Sequence, residues 1–311
     1  MQIVAGSAFK AERVRLRTRH IVLAVVVVVL WGVAFVATRI GLDSFSPPQL
    51  TVLRFAIAAL PALVLPRPPL AWSALVPVGL TLFAGQFLFQ FFGIAHGTPV
   101  GIAAVIVHAQ VLFTIVFAAA LLGERPTSRQ WLGSTVALGG LAVIALTVGG
   151  DLTPVGLLLT LLSPVSFGIG NVLLKRLGPA DMPGLIAWLS LVPPLPALAL
   201  SVALDGPGAL PRALARGPWS GLAAALFLGL VSTTLAYAIW GGLLRRYPAA
   251  TVTPFALLVP FVGAAASALV FGERFGPVRL SGMVLVLAGL AVIVAPSAAR
   301  PASPGRRRAR Y

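Results

Sequence analysis

An apolar run from Pro99 to Leu122 is interrupted by two polar side chains, His108 and Gln110. A histidine can carry a proton near neutral pH, and a glutamine amide offers both donors and an acceptor to whatever lies beside it. Other apolar runs are punctuated in the same way. Gln86 and Gln90 stand four apart and so share a helix face. Thr233, Tyr237 and Trp240 fall on one stripe by helical spacing, and Ser163, Ser166 and Asn171 mark a further run. A polar group in an apolar medium must find a partner, and it usually faces a packed interior or a watery cavity. The ordinary explanation is hydrogen bonding between helices, worth about 0.6–2 kcal/mol, and it suits the small hydroxyls. Gln90, Tyr237 and Trp240 fit a binding surface better. On an ideal helix His108 and Gln110 stand about 200° apart, so they are expected not to face one cavity: one lines a path, the other meets a neighbouring helix. Gln110 shares its face with Thr114. Arg39 and Arg54 sit near the ends of the first two apolar runs; snorkelling to the interface is their ordinary role, and holding a carboxylate is the functional one.

Catalytic chemistry is poorly provided for. All seven acidic residues (Glu12, Asp43, Glu124, Asp151, Asp181, Asp205 and Glu273) fall in tails, loops or the ends of apolar runs. That leaves no buried carboxylate for a proton or sodium relay and none for aspartyl proteolysis. No serine sits in a G-x-S-x-G setting. The chain has no cysteine, so disulfides, thiolate metal sites and cysteine nucleophiles are excluded. No cofactor and no metal are expected. A membrane-embedded enzyme stays the remote alternative, and it would form product in detergent without any gradient.

The elements that carry these side chains are long and apolar. The chain has 311 residues, 59% hydrophobic and 10% charged, whereas a soluble domain is roughly 45–50% apolar and 25% charged. Ten runs approach the ~20 helical residues needed to cross a hydrocarbon core: 21–39, 50–66, 73–94, 99–122, 131–148, 155–174, 184–204, 218–240, 249–271 and 278–295. The expected fold class is all-α, a polytopic membrane protein of ten transmembrane helices, with the lipid bilayer as its surroundings. The 26 prolines are tolerable in such a bundle, where neighbouring helices satisfy freed backbone groups. The formal charge of +16 then reports topology and not nucleic acid. With the N-terminus inside, seventeen of the 23 Lys and Arg lie in cytoplasmic segments, and only Arg212, Arg216, Arg274 and Arg279 in outer loops. This bias puts both termini in the cytoplasm, as basic tails over 1–20 and 297–311. The head K-A-E-R-V-R-L-R-T-R-H precedes a run with no small-residue cleavage site, so it is read as a tail and not a signal peptide.

The chain is also written twice. L-L-G-E-R-P-T-S-R-Q-W-L-G-S-T-V-A-L-G-G-L-A-V-I-A at 121–145 and V-F-G-E-R-F-G-P-V-R-L-S-G-M-V-L-V-L-A-G-L-A-V-I-V at 270–294 align without a gap at an offset of 149, and W-G-V-A-F-V-A-T-R-I-G at 31–41 matches F-G-I-G-N-V-L-L-K-R-L at 167–177 at an offset of 136. Five spans are therefore repeated, over 21–148 and 149–296. Because five is odd, the second copy enters the membrane from the opposite side. Two inverted halves suit a carrier that opens a central small-molecule site alternately to each side. Both halves lie in one chain, so a monomer suffices. The acids of the two G-E-R motifs, Glu124 beside Arg125 and Glu273 beside Arg274, are expected to form structural ion pairs at helix ends.

The G-E-R duplication, with the opening W-G-V-A-F-V-A-T-R-I-G, resembles the EamA group of ten-span carriers in the drug/metabolite transporter superfamily. Q-F-L-F-Q-F-F-G-I-A-H-G-T-P-V-G-I-A-A-V-I-V-H-A-Q-V-L-F-T-I at 86–115, Y-A-I-W-G-G-L-L-R-R-Y-P-A-A-T-V-T-P-F-A-L-L-V-P-F-V-G at 237–263 and G-N-V-L-L-K-R at 170–176 are similar to the members that export O-acetylserine and cysteine. The resemblance implies an efflux carrier of small amino-acid metabolites in a bacterial inner membrane, or a broader exporter of hydrophobic amines and other metabolites. It carries over Trp31, Arg54, Gln86, Gln110, Asn171, Tyr237 and Trp240 as site residues, with Pro254 and Pro260 as a hinge or polar lining. At 108 that subgroup has glutamine where this chain has histidine, which bears on substrate range.

Overall fold

The computed structural model describes residues 16–178 and 181–295; the tails expected at 1–20 and 297–311 lie outside the described residues apart from 16–20. Eight helices are long and apolar enough to cross a membrane. They are α1 (Thr18–Leu42), α3 (Trp72–Ala95), α4 (Val100–Leu122), α6 (Pro154–Arg176), α7 (Met182–Asp205), α8 (Trp219–Arg246), α9 (Thr253–Phe271) and α10 (Pro277–Val294). Two further helices belong to the same bundle and match the remaining expected runs. The first, α2 (Pro47–Leu63), is shorter and tightens into a 3₁₀ turn at Leu60–Leu63, which contains Pro61. The second, α5 (Ser128–Ala145), opens on Ser128, Arg129 and Gln130, which makes its first turn polar. No strand occurs among the described residues. Large side chains such as Leu63, Leu146, Leu195 and Leu269 point outward exposed, the inverse of a soluble surface, and this is a multi-pass membrane protein.

Local chemistry sets the helix ends. Ser46 and Thr127 each accept from the amide three residues on while Gln49 and Gln130 reach back, giving two capping boxes. Thr153 and Asp181 cap α6 and α7 through the amides of Gly156 and Gly184. Gly123 and Gly272 end α4 and α9 at φ 67° and 68°, a left-handed conformation that favours glycine. Successive helices alternate in direction, and the loops at each end tie together. At the near end, where α1 begins and α10 finishes, His20 Nδ1 lies 2.6 Å from the Tyr247 hydroxyl and Arg245 meets Asp181 at 2.9 Å. At the far end the Asp205 carboxylate accepts from Ser46, Gln49 and Ser201.

Close crossings follow one rule. A Cβ on Gly133 would fall 2.6 Å from the Gly289 carbonyl, and one on Gly282 would fall 2.9 Å from the Gly140 carbonyl, so α5 and α10 cross antiparallel, backbone against backbone. The same offset of 149 relates Gly133 to Gly282 and Gly140 to Gly289. Gly32 of α1 meets Val262 and Gly263 of α9; Gly168 of α6 meets Phe113 and Thr114 of α4. These too are equivalent pairs, by the offsets 136 and 149. Small residues permit such contact where no hydrophobic force separates helix from lipid.

Two helices carry matching irregularities. α3 widens into a π-helical segment at Leu80–Gly85 and α8 at Phe227–Leu235. Within the second, Thr233 and Thr234 donate back to the carbonyls of Leu228 and Gly229, five residues earlier. A π segment turns the residues beyond it relative to an α-helix and is frequent at functional sites.

The loop before α6 is pinned by charge. Arg279, itself buried, donates both terminal nitrogens to the Asp151 carboxylate at 2.9 Å, and this hydrogen bonding holds the Asp151 carboxyl below the usual aspartate range. A depressed pKa contributes stability that is complete above the unfolded value and lost as pH falls through the folded one. The thermal midpoint in detergent is therefore expected to drop as pH is lowered below about 4, with a smaller drop in Asp151→Asn; identical acid profiles for the two proteins would contradict the pairing.

Candidate functional site

A cavity of about 410 Å³ lies at the centre of the bundle. Three aromatic side chains form one wall. Trp31 of α1 donates its indole N–H to the Ser232 carbonyl at 3.0 Å, and its ring lies 5.3 Å from Tyr237 and 5.2 Å from Trp240. Those two follow the π segment of α8, which brings them round to α1. Gln86 and Gln90 follow the π segment of α3 and line the cavity with Phe87.

Arg54 reaches this cavity from α2. It does not snorkel: it is 4% exposed. Its guanidinium carbon lies 3.9 Å from the Phe87 ring centroid, and its Nε donates to the Thr233 hydroxyl at 3.2 Å. No ion pair among the described residues involves Arg54. A desolvated cation over an aromatic face with donors to spare is suited to a carboxylate.

α4 contributes both His108 and Gln110, against the expectation that they face apart. The reason lies in the backbone. The helix is interrupted at Ala109, whose amide bonds to Ile106 three residues back, so the ideal rotation between 108 and 110 does not hold. His108 Nδ1 donates to the Ala104 carbonyl at 2.7 Å, which fixes that nitrogen as the protonated one and leaves Nε2 for another partner. Asn171 of α6 closes the set and donates to the Thr114 hydroxyl at 3.0 Å. All nine residues singled out as binding candidates thus line one cavity. The Gln86 and Gln110 side-chain carbonyls and the Ser232 hydroxyl are buried without a hydrogen-bond partner among the described residues, so they can receive donors from a guest.

Sequence reasoning missed Thr38, Ser232, Phe87 and Phe167, which also line the cavity. Thr38 is seven residues past Trp31, a helical spacing that could have disclosed it. Ser232 shows no such signal, because the π segment breaks the period. Pro254 and Pro260 stand apart from the lining; they frame a 3₁₀ stretch, Thr253–Leu258, where α9 begins, because proline cannot complete the α-helical ladder. Of the two G-E-R acids, one forms an ion pair at a helix end and the other does not. Glu124 pairs with Lys175 at 2.5 Å and not with Arg125. Glu273 forms no ion pair with Arg274; its carboxylate accepts from the Val100 and Gly101 amides at 2.6 and 2.9 Å and from the Ser267 hydroxyl at 2.9 Å. The left-handed glycine turns each acid away from the neighbouring arginine.

The sequence profile described as the EamA-like transporter family matches residues 18–146 and again 154–295. The chain belongs to this family. Among EamA relatives, it is 37% identical over 280 residues to a probable amino-acid metabolite efflux pump of Salmonella typhimurium, covering 88% of this chain and 93% of that one. A protein of the same description from Escherichia coli is 36% identical, with coverage of 88% and 94%. A probable terminal-alkyne amino-acid exporter of Streptantibioticus cattleyicolor is 29% identical, with coverage of 91% and 97%. A protein of known crystal structure shares the EamA chain's fold with a TM-score of 0.60 at 19% identity, covering 89% of this chain and 96% of that one.

Proposed function

We propose that the protein exports small zwitterionic amino-acid metabolites, of the class that includes O-acetylserine and cysteine, across a bacterial inner membrane. The observation that carries this reading is Arg54: a buried cation without an acidic partner among the described residues, facing a cavity whose other polar groups, at Gln86 and Gln110, offer orphan carbonyls. A carboxylate pairs with the first and an ammonium donates to the second. The amino-acid descriptions of the relatives point the same way.

The carrier is read as two inverted five-helix repeats, over 21–148 and 149–296, working by alternating access as a monomer with both termini cytoplasmic. Antiparallel contact between α5 and α10 at equivalent glycines supports the inversion, since a two-fold axis maps that contact onto itself. The lysine and arginine bias supports the orientation, which makes the near end cytoplasmic.

Counterflow tests the substrate class. Proteoliposomes loaded with unlabelled O-acetylserine are expected to accumulate labelled O-acetylserine transiently, and external cysteine to compete. The carboxyl-amidated analogue is expected not to compete. Accumulation blocked equally by acid and amide would reject the carboxylate reading.

A further inference from the structure

We propose that Glu273 and Glu124 are reciprocal latches. Each exchanges the amide N–H groups that start a helix in the other repeat for a cation that ends one. The proposal rests on the reading of two inverted repeats with alternating access.

At the far end Glu273 is latched. Its carboxylate holds the first two amides of α4, where the helix dipole favours negative charge, and so binds α4 to the corner between α9 and α10. Arg39, in the last turn of α1, lines the same far-end cavity of about 270 Å³ as Glu273, yet is paired with Asp43 at 3.3 Å. At the near end Glu124 is unlatched. The offset of 149 that maps Glu124 onto Glu273 also maps the start of α4 onto Ala249 and Ala250, and the offset of 136 maps Arg39 onto Lys175. Glu124 is bonded to Lys175, and the two line a near-end cavity that shares Asn171 with the central one. One copy thus displays the helix-capping arrangement and the other the cation-bound arrangement of the same four-part device.

In the opposite state the roles swap: Glu273 turns to Arg39 as the far end opens, and Glu124 takes the amides of Ala249 and Ala250 as the near end closes. Each state then holds one charge-assisted cap, which is strong, beside exposed ion pairs, which are weak. The exchange keeps one cap in each state and trades the exposed Glu124–Lys175 and Arg39–Asp43 pairs for Glu273–Arg39; because exposed pairs are weak, neither state is trapped. The copies differ in one ligand. Ser267 donates to Glu273 at 2.9 Å, whereas its counterpart is Ala118, so the far-end latch is the tighter and the resting protein faces the near end.

The chain contains no cysteine, so a single Ile94→Cys reporter, buried beside the far-end cavity, reads opening without background. Labelling by an impermeant maleimide from the far side is expected to speed up about tenfold in Glu273→Ala, by the worth of a lost helix cap. It should slow in Glu124→Ala and rise less in Ser267→Ala, which keeps the carboxylate and serves if the first variant does not fold. Unchanged labelling in all three, or the two glutamate variants moving it the same way, would overturn the latch. No substrate enters this measurement. A parent that shows counterflow while labelling ignores the variants refutes the latch alone, and a parent with opposite labelling shifts but no counterflow refutes the substrate class alone.

Discussion

Replacing Arg54 with alanine is expected to abolish counterflow of carboxylate-bearing substrates and leave the protein folded. Truncating one partner of a desolvated charge pair costs about 2–5 kcal/mol, roughly a 30- to several-thousand-fold loss of affinity. Stability should move the other way or not at all. An arginine within a membrane helix costs about 2.5–3.5 kcal/mol on insertion scales, and Arg54 recovers only its contact with Thr233 and its stacking on Phe87. Thr233 would keep its bond to the Leu228 carbonyl. Arg54→Lys retains the charge without the planar fork, so it should regain part of the activity at weaker affinity. The measurements are the half-saturation concentration for counterflow and the thermal midpoint in detergent. If Arg54→Ala transported normally, the carboxylate would have to be held elsewhere; if it merely unfolded, the buried cation would be a structural group.

The nine binding candidates were legible because a polar or aromatic side chain in hydrocarbon is conspicuous whatever the local geometry. Gln86, Asn171 and Tyr237 needed no knowledge of register to be noticed. Their mutual arrangement was less legible, because it depends on three departures from the ideal helix: the break at Ala109 and the π segments of α3 and α8. Nothing in A-L-F-L-G-L-V-S-T-T-L at 225–235 distinguishes π from α, since the choice is made by packing. Gly229 there sits against the Arg54 carbonyl and Ile57, in a contact that joins distant parts of the chain.

The G-E-R motif shows the complementary case. Its repetition disclosed the duplication, and the structure shows its glycines ending two helices. The role of its acids did not follow from local spacing, because Glu273 spends its charge 173 residues away, on Val100. An adjacent arginine is the obvious partner in sequence, but the left-handed turn at Gly272 directs the carboxylate to a helix start that only the folded bundle brings near.

Trp31→Ala is expected to produce the second large effect, weakening substrate binding at least about tenfold. The indole does two things. Its ring forms the wall shared with Tyr237 and Trp240, and its N–H satisfies the Ser232 carbonyl within the π segment. Full truncation of a buried tryptophan costs about 3–5 kcal/mol, and Trp31 is only half-buried, so the lower end applies to stability. Binding loses more than packing does, because an enlarged cavity no longer holds a small ligand between Arg54 and the glutamine carbonyls. Trp31→Phe separates the two roles: it keeps an aromatic face and removes the donor. If the wall matters most, the phenylalanine variant should transport nearly as the parent does, with only a modest fall in thermal midpoint. If it fails as badly as the alanine variant, the hydrogen bond to Ser232 is the essential contact, and the indole acts by fixing the π segment that presents Tyr237 and Trp240.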